Sequence, residues 1–315
     1  MNNKNCEISL VIATYNRSEI LKETLESLCH IDWTDIHYEI VIVDNNSNDH
    51  TKEIIEGYTK RLPLTYVMEK RQGKSYALNT ALDIVTGDII VFTDDDISPK
   101  INWVKEIVAV CERWPHVNIF GGRVIPVFPA GADPKIIHSS FSDFIFNNHN
   151  PLSYEGYYND QHPVGNNSWV RRRVVVESGE KFNEEIGVVG EERISGGDIE
   201  FFYRLAQNGE KMVFAPSVIV DHRIQKKQFS FKYLVKRAIA GGRGWVRIRN
   251  PFDGCVCIFG IPRFLYLQII SNLVMTIYCF LIGKNQLEPL MKLFEFLGCT
   301  YEYKSMRKKN ILSKH

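Results

Sequence analysis

Ile89-Ile90-Val91-Phe92-Thr93-Asp94-Asp95-Asp96 is an apolar run that ends abruptly in three carboxylates. Ile, Val and Phe favour a buried strand. Three adjacent acids do not belong in a core, because unpaired buried charge is very costly. The strand is therefore expected to be central, with its carboxyl end opening into a site, where open α/β sheets place their ligands. Neighbouring carboxylates raise one another's pKa unless a cation sits among them. A divalent metal supplies that charge, and oxygen ligands suit Mg or Mn. A solvated acidic turn is the plain alternative.

Outward from this stretch, strands and helices alternate. Ile8 to Ala13 reads as a strand, followed by Thr14-Tyr15-Asn16-Arg17-Ser18 and a helix from Glu19 with Ser18 as its N-cap. Tyr38 to Val43 is a second strand ending in Asp44-Asn45-Asn46-Ser47, and Leu64 to Met68 a third. Lys70-Arg71-Gln72-Gly73-Lys74-Ser75 then opens a helix that leads into Asp88 to Thr93. This alternation predicts a doubly wound, mostly parallel sheet flanked by helices. No Gly-x-Gly-x-x-Gly turn follows the first strand, which argues against a dinucleotide-binding domain. Gln72-Gly73-Lys74-Ser75 ends like a P-loop but lacks that motif's first glycine.

Past the acids, a helix is expected near 102–113 and a strand at Val117 to Val124, broken by Gly121-Gly122. Residues 126–158 carry little periodicity and read as a long irregular segment of the kind that forms lids or acceptor surfaces. Asn166-Asn167-Ser168-Trp169 is extended; Gly197-Asp198-Ile199-Glu200 opens a helix; a pair of short strands delivers Asp221-His222-Arg223.

The 315 residues allow one large domain with an appendage. A net charge of +1 offers no basic field for nucleic acid. Seven scattered cysteines without metal-finger spacing read as reduced thiols, and the polar start has no signal-peptide character, so a cytoplasmic setting is expected. Beyond residue 225, basic residues from Lys226 to Arg249 interleave with aromatics, and the apolar stretch 264–282 is borderline for a bilayer span. Peripheral contact with the inner face of a membrane is the expectation. The domain reading is 1–225 (halves near 1–125 and 126–225) followed by a helical extension, 226–315.

Val11 to Arg17, Val43-Asp44-Asn45-Asn46-Ser47, Gly73 to Asn79, Asp94-Asp95-Asp96 and Gly197-Asp198-Ile199-Glu200 occur in an order that resembles family 2 glycosyltransferases. The resemblance covers roughly residues 7 to 225. It implies a GT-A fold, a nucleoside-diphosphate sugar donor (a UDP-sugar favoured), a Mn or Mg ion, inversion at the anomeric carbon, and a glycan or lipid-linked acceptor. It also implies roles: Thr14, Tyr15, Arg17 and Asp44 for base and ribose; Lys74, Asp94 and Asp95 beside the donor; Asp96 and His222 on the metal; Asp198 as base; Asn167, Trp169 and Glu200 toward the acceptor. Gly197 departs from the pattern, since relatives commonly carry an acid there, and Glu191 or Glu192 is the acid available to replace it. Bland readings stand beside these: a helix cap for Asp198, a turn former for Asp44, a core ring for Trp169, a strand-end histidine for His222. Rival functions are a non-catalytic nucleotide-sugar or carbohydrate-binding module and a metal-dependent nucleotidyltransferase.

Overall fold

The structure, a computed structural model, describes residues 7–189, 192–249 and 254–312. It divides into two compact units with an interleaved chain path. The first takes residues up to 127, then 147–185 and 198–224; the second takes 128–146, 186–197 and everything from 225. The division differs from a single cut at 225, because two earlier segments belong with the chain's last third.

The first unit begins β1 (Glu7–Thr14), α1 (Ser18–Leu28), β2 (His37–Asp44), α2 (Thr51–Tyr58), β3 (Leu64–Met68), α3 (Lys74–Leu82) and β4 (Ile89–Asp94). It continues with β5 (Ile97–Pro99), α4 (Trp103–Arg113) and β6 (Ile119–Val127). The chain then passes through α5 (Pro134–Ile137) and α6 (Ser142–Phe146) of the second unit, and returns for β7 (Gly156–Tyr157) and β8 (Ser168–Arg171). A hairpin of β9 (Gly187–Val189) and β10 (Glu192–Ile194), again of the second unit, precedes α7 (Gly197–Gln207) and β11 (Met212–Arg223). The sheet runs β3-β2-β1-β4-β8-β6-β11-β5, with β7 added on β11. β1, β2, β3 and β4 pair in parallel, as do β6 and β11, whereas β8 and β5 are antiparallel. This is the mostly parallel sheet expected from the alternation.

Ile89 to Phe92 and the facing residues of β1 and β2 are essentially fully buried, so helices on both faces exclude water from the sheet's centre. A strand buried on both faces has no polar side and reads as a continuous apolar run. β6 is unbroken at its glycines. A Cβ on Gly122 would lie 2.3 Å from Asn167 Nδ2 and 2.4 Å from the Val218 carbonyl. The glycine admits close neighbours and does not end the strand.

In the second unit, α8 (Phe231–Arg249), a two-stranded hairpin of β12 (Cys257–Ile258) and β13 (Ile261–Pro262), α9 (Arg263–Leu281) and α10 (Leu287–Leu312) form the helical extension. α8 and α10 pack backbone to backbone: a Cβ on Gly298 would meet the Ile239 carbonyl at 2.2 Å. Glu302, fully buried on α10, accepts from Arg243 at 2.7 Å and Arg247 at 2.5 Å. Arg237 is buried too and donates to the Phe144 carbonyl at 3.1 Å and Ser195 Oγ at 3.2 Å. These three arginines are internal ties, which corrects the reading of the whole basic stretch as a membrane-facing surface.

Candidate active site

Parallel register brings the ends of three strands level. Thr14 pairs with Asp44 and Ala13 with Asp94, so the last residues of β1, β2 and β4 share one edge of the sheet. The acids just beyond β4 are neutralised by cations of the same chain. Arg17, from the loop after β1, reaches Asp95 Oδ1 and Asp96 Oδ2 at 2.6 Å each. Thr14 Oγ1 donates to Asp95 Oδ2 at 2.7 Å. Burial holds the Asp95 carboxyl up at about 6, with the neighbouring Asp96 charge adding to it and Arg17 pulling the other way. Burial also works against Asp96, yet His222 and Arg17 hold it well below the usual carboxylate range. Lys74, first residue of α3, pairs with Asp94. Its own burial would lower it, but the charges of Asp94 and Asp198 keep it above its ordinary value. Asp198 therefore belongs to the same electrostatic cluster as the strand-end acids.

His222 arrives on β11, opposite Ile97 and Pro126. The next residue locks that strand end: Arg223 N–H donates to the Asp96 carbonyl at 2.8 Å, and its guanidinium to Ser98 Oγ and Thr24 Oγ1 at 2.5 Å each. His222 Nε2 lies 3.5 Å from Asp96 Oδ1, beyond good hydrogen-bond geometry. That oxygen is buried and has no hydrogen-bond partner. An orphaned carboxylate oxygen beside an imidazole nitrogen is a donor pair suited to a divalent ion. Among the described residues no three His, Cys, Asp or Glu side chains gather as a metal site. Two protein ligands, with the rest from phosphate oxygens and water, is how Mg is ordinarily held beside a phosphorylated substrate.

Asp198 lies in the first turn of α7, but its carboxylate does not cap that helix. Oδ2 accepts from the Gly165 N–H at 2.6 Å. A Cβ on Gly165 would stand 3.0 Å from Asp198 Oδ2 and 3.2 Å from its Cβ. Gly165 thus both aims the carboxylate and leaves room for it. Gly165→Ala is expected to displace the Asp198 carboxylate and to cut about ten-fold any turnover that depends on its position, with the melting temperature nearly unchanged. A full loss of the folded signal in circular dichroism would show instead that the glycine is needed for folding.

Asp44 is buried, and both its oxygens are used: Oδ1 accepts from Ser47 N–H at 2.9 Å and Oδ2 from Tyr66 OH at 3.1 Å. Burial, with the Asp44 charge added, pushes the Tyr66 hydroxyl up to about 12. Tyr15 is 42% exposed at the same edge, free to meet a flat ligand. Ser18 does not cap α1. Arg17 holds the N-cap position, and the Ser18 N–H donates to Asp49 Oδ2 at 3.0 Å.

Asn167 and Trp169 are corrections. Asn167 is fully buried, donates to the Arg123 and Val218 carbonyls at 2.9 Å each, and accepts from Trp103 Nε1 at 3.0 Å. Trp169 is fully buried and stacks on Phe120 at 5.5 Å. Neither faces an acceptor: one knits β6, β8 and β11 together and the other fills the core. Glu200 accepts from Arg204 at 3.2 Å through one oxygen, and its other oxygen is buried without a partner. Glu191 lies outside the described residues, and Glu192 sits in β10.

Sequence reading missed three positioning residues: Gly165, Arg223 and Asn45. Asn45 Nδ2 donates to the Arg71 carbonyl at 2.6 Å and its Oδ1 accepts from Gly73 N–H at 2.7 Å, shaping the loop that presents Lys74. Its place directly after Asp44 was the available signal.

The glycosyl transferase family 2 model matches residues 9–179. Glycosyltransferase AglE of Haloferax volcanii is 28% identical over 243 residues, covering 76% of this chain and 73% of that protein. A dolichyl N-acetyl-glucosaminyl phosphate diacetamido-dideoxy-glucuronosyltransferase of Methanococcus voltae is 24% identical over 306 residues, with coverage of 90% and 88%. Among solved structures, S. aureus TarS 1-349 in complex with UDP-GlcNAc superposes with a TM-score of 0.54 at 16% identity, covering 96% and 92% of the two chains. The mannosyltransferase PcManGT of Pyrobaculum calidifontis, in complex with GDP-Man and Mn2+, gives a TM-score of 0.54 at 22% identity, covering 78% and 66%.

Proposed function

We propose the following from the premise that this chain belongs to glycosyl transferase family 2 and is a glycosyltransferase of GT-A fold: it moves a sugar, with inversion, from a nucleoside-diphosphate sugar to a glycan or lipid-linked acceptor during surface glycan assembly. The observation that carries the reading is the juxtaposition of Asp198, fixed from outside its own helix, with the Lys74–Asp94 pair at the strand ends. A carboxylate held by a backbone N–H in place of a salt bridge, as Asp198 is by Gly165, is what an inverting transfer needs. The acceptor O–H attacks the anomeric carbon, the bond from that carbon to the diphosphate breaks, and the proton passes to Asp198. Charge grows on the departing diphosphate, and Lys74 would be the side chain to meet it. Asp96 and His222 would hold a Mn or Mg ion, whose chemistry is to stabilise that same charge. Tyr15 offers a face to the base, and Asp44 holds the loop that borders it. A UDP-sugar is the favoured donor; relatives in complex with UDP-GlcNAc and with GDP-Man support a nucleotide sugar of either kind. Six free cysteines among the described residues are in keeping with a reducing, cytoplasmic setting.

Calorimetric titration with UDP, GDP, dTDP and CMP, each with and without Mn2+, tests this. UDP is expected to bind in the presence of the ion and weakly or not at all without it. Absence of binding by every nucleotide in both conditions would remove the donor site from these residues. A nucleotidyltransferase would instead bind a nucleoside triphosphate in preference to any diphosphate.

A further inference from the structure

α9 carries its pattern inside out. It is long and apolar, yet only 11% of it is buried, which separates it from the core helix of a soluble domain. Leu267, Ile270, Val274, Ile277, Phe280 and Leu281 are all exposed. Gln268, Asn272 and Thr276, spaced four apart, lie on the half-buried side together with Leu265, Ile269 and Cys279. Two of the polar side chains bond within the helix: Asn272 Nδ2 donates to the Gln268 carbonyl at 2.8 Å and Thr276 Oγ1 to the Asn272 carbonyl at 2.7 Å. Apart from Ser271, the outward residues between Phe264 and Ile282 are apolar. A helix on a water-facing surface has the reverse arrangement.

The breadth of the apolar face points to the medium that covers it. At 100° per residue the exposed apolar side chains span roughly 220° of the circumference. A single partner helix needs a stripe of about 100°, whereas hydrocarbon covers whatever faces it. The ends carry exposed cations, Arg263 and Lys284. Beside the free end, a cleft of about 540 Å³ is lined by Phe231, Phe280 and Leu290 together with Lys135, Lys284 and Asp133. Apolar walls next to ammonium groups match an amphiphile with an anionic head.

The helix does not leave its own side. α10 runs back along α9 and α8, with Phe296 against Phe264 at 6.1 Å and Met291 and Cys299 fully buried. Crossing a bilayer would carry the 283–286 turn to the far face and strip α10 from α8, against the close glycine contact between them.

We propose that α9 is embedded in one leaflet of an anionic lipid bilayer, lying along it without crossing, with Arg263 and Lys284 at the headgroups. The proposal concerns membrane binding alone and does not rest on the transferase reading.

Flotation of the full chain with phosphatidylcholine vesicles, with and without phosphatidylglycerol, tests it. The protein is expected to float with both and more completely with the anionic lipid, whereas Ile277→Glu combined with Leu281→Glu, on an exposed face, should keep the fold by circular dichroism and remain at the bottom of the gradient. Phe280→Trp adds a fluorophore that lipids brominated on their acyl chains should quench. A wild-type chain that never floats, a double variant that floats as well as wild type, or an unquenched fluorophore overturns the proposal. So does a non-floating dimer that the double variant converts to monomer, which would make a second copy the occupant.

Discussion

Asp198→Asn is expected to lower kcat by about 10²–10⁴-fold, the usual contribution of a general base, while leaving the donor's affinity unchanged. The amide is isosteric, and its carbonyl oxygen still accepts from the Gly165 N–H that now holds Oδ2 at 2.6 Å. The loss should therefore fall on proton acceptance and not on architecture. Lys74 loses one of the charges that hold it above its ordinary value but keeps Asp94 and Asp95. Steady-state transfer with the natural acceptor, paired with calorimetric donor binding, separates the two effects. Full activity in the variant would move the base elsewhere, and Glu200, with its buried unpartnered oxygen, is the next carboxylate to test.

Asp96→Asn should do the opposite. Nucleotide binding that depends on Mn2+ is expected to weaken by on the order of 100-fold or more, since even outer partners of a metal ligand are worth 10–100-fold. The variant removes one charge from the pair that Arg17 bridges, leaving the guanidinium on Asp95 at 2.6 Å. The fold should survive, because Asp96's backbone carbonyl still receives the Arg223 N–H and pins β11. Wild-type nucleotide affinity in Asp96→Asn, with Mn2+ present, would mean that the ion is held elsewhere or is dispensable for donor binding. Together the two variants are expected to separate: one binds without turnover, the other loses the metal-dependent part of binding.

The strand ending in acids was legible because its two halves make incompatible demands, one for burial and one for charge compensation, that only a strand edge satisfies. Lys74's charge partner was not legible: a lysine at a helix start is usually solvated, and only the return of the chain at Asp94 pairs it. Gly121-Gly122 misled because glycine marks both flexible breaks and close approaches, and the neighbours that decide, Asn167 and Val218, come some 45 and 96 residues later. Asn167 and Trp169 were read from their place in sequence, which does not say which way a strand residue faces. Arg243 and Arg247 looked free because their neutraliser, Glu302, lies 59 and 55 residues away. In each case the missing information was a contact distant in sequence.

The interleaved path has a consequence for synthesis and for cutting. β11 sits between β6 and β5, so the sheet stays incomplete until residue 223 has left the ribosome. By then residues 128–146 have been made, and Phe128 and Phe146 lack their third ring, Phe229, 5.0 Å from Phe146, which has yet to be made. A fragment ending at 224 would keep every strand of the large sheet and still carry those two rings without Phe229. A single stop codon after β11 therefore cuts between the completed sheet and the last ring partner of residues 128–146.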